Sequence, residues 1–469
     1  MTQYTKIPFF TLIALLFATP CFASNNGINA HSLSIVWILP FVGMLLSLAL
    51  MPIIAPDFWH KNDGKVALCW AALVIIPMAL LYGVSLTMHE IVHVYLLEYI
   101  PFIIIAGALY VIAGGICVQL KWTGTPQVNT VLLLAATLVA SWIGTTGAAM
   151  LFIRPLIRIN AWRSYKTHLM IFFIILVCNL GGCLTALGDP PLFLGFLLGV
   201  DFFWPLFHLA VPFVYVSLPV LVIFYVLDRY HFSKEDTTNI PKPNHDKLRF
   251  RGRLNFILLL GVMAAVIISG KWDPGVAIDI YGVPLKLQNF LRDITLLLLA
   301  LISLVHTSYE IRNLNHFTWL PIVEVAKIFA AIFITAMPVL AILGIGEEGA
   351  LAPLVQFVTV DGAPVNYMYF WMTGVLSGFL DNAPTYLVFF HLAGGDAQTL
   401  MGPMSTTLTA ISAGAVFMGA LTYIGNAPNF MVKSIAETRQ ISMPSFFGYL
   451  LWSSLILLPL FAIMSWLLF

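Results

Sequence analysis

The sequence predicts an all-α polytopic membrane protein. Its expected plan is an inverted repeat of two halves, each of five transmembrane helices plus a re-entrant hairpin, with broken helices at the midplane. Three observations predict it: composition, the placement of Lys and Arg, and an internal repeat. Of 469 residues, 60% are apolar and 9% are charged, against about a quarter charged in a typical soluble domain. Mean hydropathy is +0.94. Such a chain has too few polar groups to cover a water-soluble globule. Soluble enzymes, nucleic-acid binders and disordered segments are excluded on that ground. A net charge of +1 offers no basic field to a nucleic acid.

The elements follow in order. Lys6, the apolar run from Ile7 to Pro20, and Cys21-Phe22-Ala23 read as a signal peptide over 1–23. The alternative is a retained, short first span. Apolar windows then predict crossings at 34–54, 66–86, 97–118, 168–200, 206–227, 254–270, 293–307, 320–345, 402–437 and 445–468. Windows 168–200 and 402–437 are too long for one straight crossing, and Gly, Pro and polar residues interrupt both. Segments 129–157 and 366–392 are also apolar with a central break.

Basic residues decide how those last two segments run. With an outside N-terminus and 129–157 folded back on its own side, nearly all Lys and Arg fall inside. They include Arg154, Arg158, Arg163 and Lys166, and seven in the 228–253 loop. Only Lys271, Lys286 and Arg292 fall outside. A full crossing at 129–157 would send the two largest basic groups outside, against the positive-inside rule. By the same walk, 366–392 dips in from outside. An odd number of crossings per half makes the second half start on the opposite side. The expected units are a first repeat over 31–227, a cytoplasmic linker over 228–253 and a second repeat over 254–469. Pro241-Lys242-Pro243 marks the joint.

The repeat itself lies at the breaks. Thr185-Ala186-Leu187-Gly188-Asp189-Pro190-Pro191-Leu192-Phe193 matches Thr422-Tyr423-Ile424-Gly425-Asn426-Ala427-Pro428-Asn429-Phe430 at an offset of 237. The same offset lays Trp142-Ile143-Gly144-Thr145-Thr146-Gly147 on Phe379-Leu380-Asp381-Asn382-Ala383-Pro384. Backbone groups freed at a break cannot face lipid, so they must be buried in protein or line a watery cavity. Freed carbonyls suit cations and half-helix N-termini suit anions. Paired interruptions in corresponding halves point to a transporter's binding site.

These residues resemble the ion transporter superfamily, which includes NhaD-type sodium/proton antiporters, arsenite permeases and citrate or dicarboxylate carriers. The likeness is greatest to the NhaD-like branch. It is carried by Glu98-Tyr99-Ile100-Pro101-Phe102 with Ala113-Gly114-Gly115-Ile116, Gly144-Thr145-Thr146-Gly147, and Leu187-Gly188-Asp189-Pro190-Pro191. Phe379-Leu380-Asp381-Asn382-Ala383-Pro384 and Tyr423-Ile424-Gly425-Asn426 complete it. It covers about residues 30–465. The resemblance implies two hairpin-plus-broken-helix sites near the midplane, a moving transport domain and a homodimeric scaffold. Carboxylate carriers of the superfamily show Ser-Asn-Thr at both hairpin tips. This chain has Gly144-Thr145-Thr146 and Asp381-Asn382-Ala383 instead.

The expected function is Na⁺/H⁺ antiport across a bacterial inner membrane, with the lipid bilayer as solvent and Na⁺ and H⁺ as cargo. No cofactor is called for. Thr145, Thr146, Gly188 and Asp189 would form one site; Asp381, Asn382, Gly425 and Asn426 would form a second. Sodium would be held at Asp189, Asp381, Asn382 and Asn426. Desolvation favours a proton on these two carboxylates and a bound cation displaces it, which is a mechanism for exchange. The hydroxyls and amides supply the neutral oxygens that hard cations prefer. Capping of half-helices is the alternative role for each. Two acidic groups without Arg or Lys at the breaks favour a cation over an anion. The alternative function is cation-coupled transport of citrate or another small carboxylate.

Other motifs are weaker. His89-Glu90-Ile91-Val92-His93 matches the zinc-protease pattern at only three fixed positions and lacks a third ligand. Leu187-Gly188-Asp189 follows Ala186, which breaks the glycine-based signature of intramembrane aspartyl proteases. The five cysteines sit in apolar runs as small core residues. Glu98 opens a span without an assignable role. His168, His208 and His391 sit at span ends, where packing or pH sensing are the options.

Overall fold

The computed structural model describes residues 30–119, 122–235, 249–315, 317–360 and 363–469. The expected signal peptide and residues 236–248 of the expected linker lie outside these.

Helices dominate. α1 (Leu39–Ile54) and α2 (Pro56–Tyr82) form a packed pair. α3 (Val84–Val94) passes through a π-helical turn, Tyr95–Tyr99, into α4 (Ile100–Ala113). The span expected at 97–118 therefore begins about a dozen residues earlier. α5 (Pro126–Ile143) opens on Thr125, whose hydroxyl accepts from Val128 N at 3.4 Å. α6 (Thr145–Ile159) packs back on α5. α7 (Thr167–Leu176) continues through a 3₁₀ turn, Leu180–Leu184, to α8 (Pro190–Leu197). α9 (Trp204–Phe232) ends the first half.

The second half contains α10 (Arg253–Lys271), α11 (Leu287–His306) and α12 (Leu320–Gly344). α13 (Asn366–Leu380) and α14 (Asn382–Leu392) pack on each other. α15 (Ser405–Met418) leads through a 3₁₀ turn, Gly419–Leu421, to α16 (Ala427–Thr438). α17 (Phe446–Leu468) ends the chain.

Among the described residues, ten helices are long and apolar enough to cross a membrane. The set differs from the ten expected crossings in one exchange. Pro126–Ile143, the first limb of the 129–157 segment, qualifies; the 402–437 segment supplies only the shorter helix Ser405–Leu421. Gly419, Gly425 and Pro428 cut that segment into halves. Large apolar side chains such as Leu80, Phe207, Val305 and Trp466 point outward, the pattern of a lipid-facing surface. Thr167–Leu184 is the most buried of the candidate spans, so the core lies around α7. The chain is a multi-pass membrane protein.

The expected linker is partly folded. Residues 228–232 complete α9, and β2 (Arg249–Arg251) pairs antiparallel with β1 (Cys117–Gln119), placing Cys117 opposite Arg251. A second ribbon, β3 (Ala277–Ile280) with β4 (Val283–Lys286), joins α10 to α11.

Local backbone recurs at the 237 offset. Gly144 (φ 80°, ψ 148°) and Asp381 (φ 89°, ψ 141°) break their helices in the same conformation. Thr185 and Thr422 are both extended after the 3₁₀ turns. So are Asp189 (φ −144°, ψ 147°) and Asn426 (φ −154°, ψ 138°), which cap α8 and α16. Thr185 Oγ1 donates to Ser141 O, and Thr422 Oγ1 donates to Gly378 O at 2.6 Å. Each threonine also accepts from the N–H two residues on, at 3.2 and 3.1 Å. Each break is thereby stitched to the helix that leads into the neighbouring tip.

Candidate ion-binding centre

The four breaks meet at one carboxylate. Asp189, 2% exposed, accepts three hydrogen bonds from three separate elements. Thr145 Oγ1 donates to Oδ1 at 2.9 Å, from the first residue of α6. Asn426 Nδ2 donates to the same oxygen at 2.8 Å, from the cap of α16. Asn382 Nδ2 donates to Oδ2 at 2.5 Å, from the first residue of α14. None of the three donors is basic. All are short, neutral side chains set at helix starts, where polar residues serve as caps in water. Here they turn to the carboxylate instead.

Backbone contacts lock this arrangement. Thr145 N donates to Gly188 O at 2.8 Å. Asn426 Nδ2 also reaches Cys178 O at 2.9 Å. Asn179 Nδ2 donates to Asn429 Oδ1 at 2.8 Å, while Asn429 Nδ2 serves Gly419 O and Thr422 O, each at 2.9 Å. The two broken helices are thus tied by side-chain amides at their freed carbonyls.

Each sequence-predicted residue has a defined place. Thr145, Asp189, Asn382 and Asn426 come together. Gly188 and Gly425 act through the backbone, because a Cβ on either would run into the carbonyl of Gly182 or Gly419. Thr146 is half-buried beside the ring of donors and outside it. Asp381 is 9% exposed and near enough for its charge to act on Asp189. Its own backbone O accepts from Thr385 Oγ1 at 2.7 Å. The expected division into one site per half is therefore not the observed geometry. Asp189 draws two of its three donors from the second half, because α14 packs on α8 and the α15–α16 break packs on α7.

Three neutral donors accompany a carboxylate in its charged form without cancelling the charge. Asn382 Oδ1 is buried with no partner among the described residues, although buried polar atoms are normally satisfied. An amide turned over would offer that oxygen beside Asp189.

A second buried cluster was missed by sequence reasoning. Arg163 Nη2 meets Asp228 Oδ1 at 2.6 Å, and His168 Nε2 lies 2.8 Å from the same oxygen. Asn129 Nδ2 donates to Asp228 Oδ2 at 2.9 Å and pairs reciprocally with Asn160. Glu235 accepts from the N–H groups of Ser164 and Tyr165, each at 2.9 Å. The cluster clamps both outer ends of the α5–α6 hairpin to α9. Asn129, which opens the apolar 129–157 segment, and Asp228, the first residue past the 206–227 window, were the available signal. Elsewhere, Lys327 Nζ meets Asp63 Oδ1 at 3.4 Å. In the His89–His93 motif, Glu90 lies 3.8 Å from His89, and no third ligand joins them among the described residues.

A family model described as "Putative citrate transport" matches residues 30–469. No curated protein matches the chain.

Proposed function

The chain belongs to this citrate-transport family, and on that premise we propose that it is a secondary active transporter exchanging Na⁺ for H⁺ at Asp189. The convergence of Thr145, Asn382 and Asn426 on one buried carboxylate carries the proposal. Asp189 holds either a proton or a cation. Thr145 Oγ1, the Gly188 carbonyl and a reoriented Asn382 supply neutral oxygens to the cation. Asp381, next to the centre, adds a second negative charge.

Exchange requires the centre to face each side in turn. The two helix–break–helix pairs, α5–α6 and α13–α14, serve as re-entrant hairpins in an inverted repeat. Recurrence of the same backbone conformations at the 237 offset supports this plan, as does the bias of Lys and Arg. Movement of hairpins and half-helices against the other spans alternates access.

A second reading, cation-coupled uptake of citrate, is favoured by the family. In it Asp189 binds the coupling cation, and the N-termini of α8 and α16 face the anion. One experiment separates the two. Purified protein in proteoliposomes is given a Na⁺ gradient, with a pH-sensitive dye inside and labelled citrate outside. Proton flux driven by Na⁺ without citrate supports exchange. Citrate accumulation, with no proton flux in its absence, supports the second reading and overturns the first.

A further inference from the structure

Glu98 lies apart from the Asp189 centre. It occupies the π turn Tyr95–Tyr99 between α3 and α4. Such turns are rare and are often found at functional sites. Two tyrosines pin this one to α12: Tyr95 Oη donates to Ala330 O at 3.2 Å, and Tyr99 Oη to Ala326 O at 3.0 Å. The turn also packs on α8, the half-helix capped by Asp189. Just beyond it, the Phe102 ring lies 6.4 Å from Phe193 of α8 and 4.7 Å from Phe329 of α12. The π turn is therefore a joint between a long span and an element of the ion-binding centre.

The Glu98 carboxylate has no hydrogen-bond or ion-pair partner among the described residues. The elements packed on the turn carry few other ionisable groups. Lys327 of α12 is turned to Asp63 of α2, and Glu324 lies on the turn before it. On α3, Glu90 lies 3.8 Å from His89, and His93 stacks on His89. Tyr110 of α4 is bonded to Thr318 O, and α8 has no ionisable side chain. A carboxylate at membrane depth without a donor is costly to keep charged, and intramembrane acids of this kind mark proton and ion pathways.

We propose that Glu98 is a second proton-binding site, which takes up and releases a proton as α8 shifts against the π turn. The proposal rests on the transport reading and adds to it a proton carrier distinct from the cation seat.

The test uses the full-length protein in proteoliposomes and the hydrophobic reagent dicyclohexylcarbodiimide. The acid O–H adds across its N=C bond, and the adduct rearranges to an N-acylurea with nothing leaving. Adducts are mapped by peptide mass spectrometry from mildly acidic to alkaline pH in wild type, Glu98→Gln and Glu98→Asp. Na⁺ binding and the pH profile of proton flux are followed in parallel. The expected result is an adduct at Glu98 that fades as pH rises. Glu98→Gln should lose it, keep Na⁺ binding and flatten the pH profile; Glu98→Asp should restore the profile. No adduct at Glu98 at any pH, or a wild-type profile in Glu98→Gln, would overturn the proposal. If the wild type neither binds Na⁺ nor moves protons, the exchange reading fails, while the labelling still decides whether Glu98 takes a proton.

Discussion

Asp189 is held by three neutral donors from three separate elements. Its position after a glycine in an apolar run, repeated as Asn426, marked it as a site residue before any geometry. Thr145, Asn382 and Asn426 were readable for the same reason: polar groups are conspicuous where nearly everything else is apolar. Their shared target was not readable. The bonds to Asp189 span 193 and 237 residues, and no local pattern encodes such pairings. Asp189→Asn should abolish exchange in proteoliposomes while leaving the gel-filtration profile intact, since the amide can keep part of the network. Asn426→Ala removes one donor to a charged group. It should weaken Na⁺ affinity about tenfold or more, measured by calorimetry.

Asp381 makes a separable case. It holds φ 89°, a region that suits glycine and is strained for any residue with a Cβ. Its counterpart at the paired position is Gly144. An acidic residue kept in a glycine conformation beside a binding centre points to a use for the carboxylate. Asp381→Gly should raise thermal stability by about 1 kcal/mol and impair transport. Faster or unchanged transport would assign Asp381 no part in ion handling.

At the level of elements, the spans were well predicted and their interruptions only in part. Apolar windows find the spans because the bilayer demands length and apolarity together, but they set the start of the 97–118 span about a dozen residues late. The π turn at Tyr95–Tyr99 left no such trace. It depends on where two tyrosine hydroxyls find carbonyls on α12, a tertiary fact. The Asp228 cluster was hidden for another reason. Arg163 counted toward the inside charge bias, so its burial against Asp228 could not be foreseen. Asp228→Ala would strip Arg163 of its 2.6 Å ion pair and leave it only the longer 3.7 Å contact with Glu235. It should destabilise the protein by about 3–5 kcal/mol, read as a lower unfolding temperature in detergent. Hydrogen exchange should rise first at the ends of α5 and α6. Uniform loosening would argue against a clamp on the hairpin.

For the whole molecule, the repeat makes a claim about sides. If the halves are inverted, the β3–β4 ribbon lies outside and the end of α16 inside. In a cysteine-free background, Asp279→Cys should react with an impermeant maleimide on intact cells. Thr438→Cys should react only after permeabilisation. Reaction of both from the same side would refute the inverted plan. The joining of both halves at Asp189 gives the plan a physical purpose, because a single carboxylate bound from both sides can be released by movement of either.

The decisive measurement is Na⁺ binding to purified protein by calorimetry in buffers of different ionisation enthalpy, which reports proton release alongside affinity. Wild type should bind Na⁺ and release protons, and Asp189→Asn should do neither. Equal binding in the two proteins would remove Asp189 from the ion path and, with it, the exchange mechanism proposed for this fold.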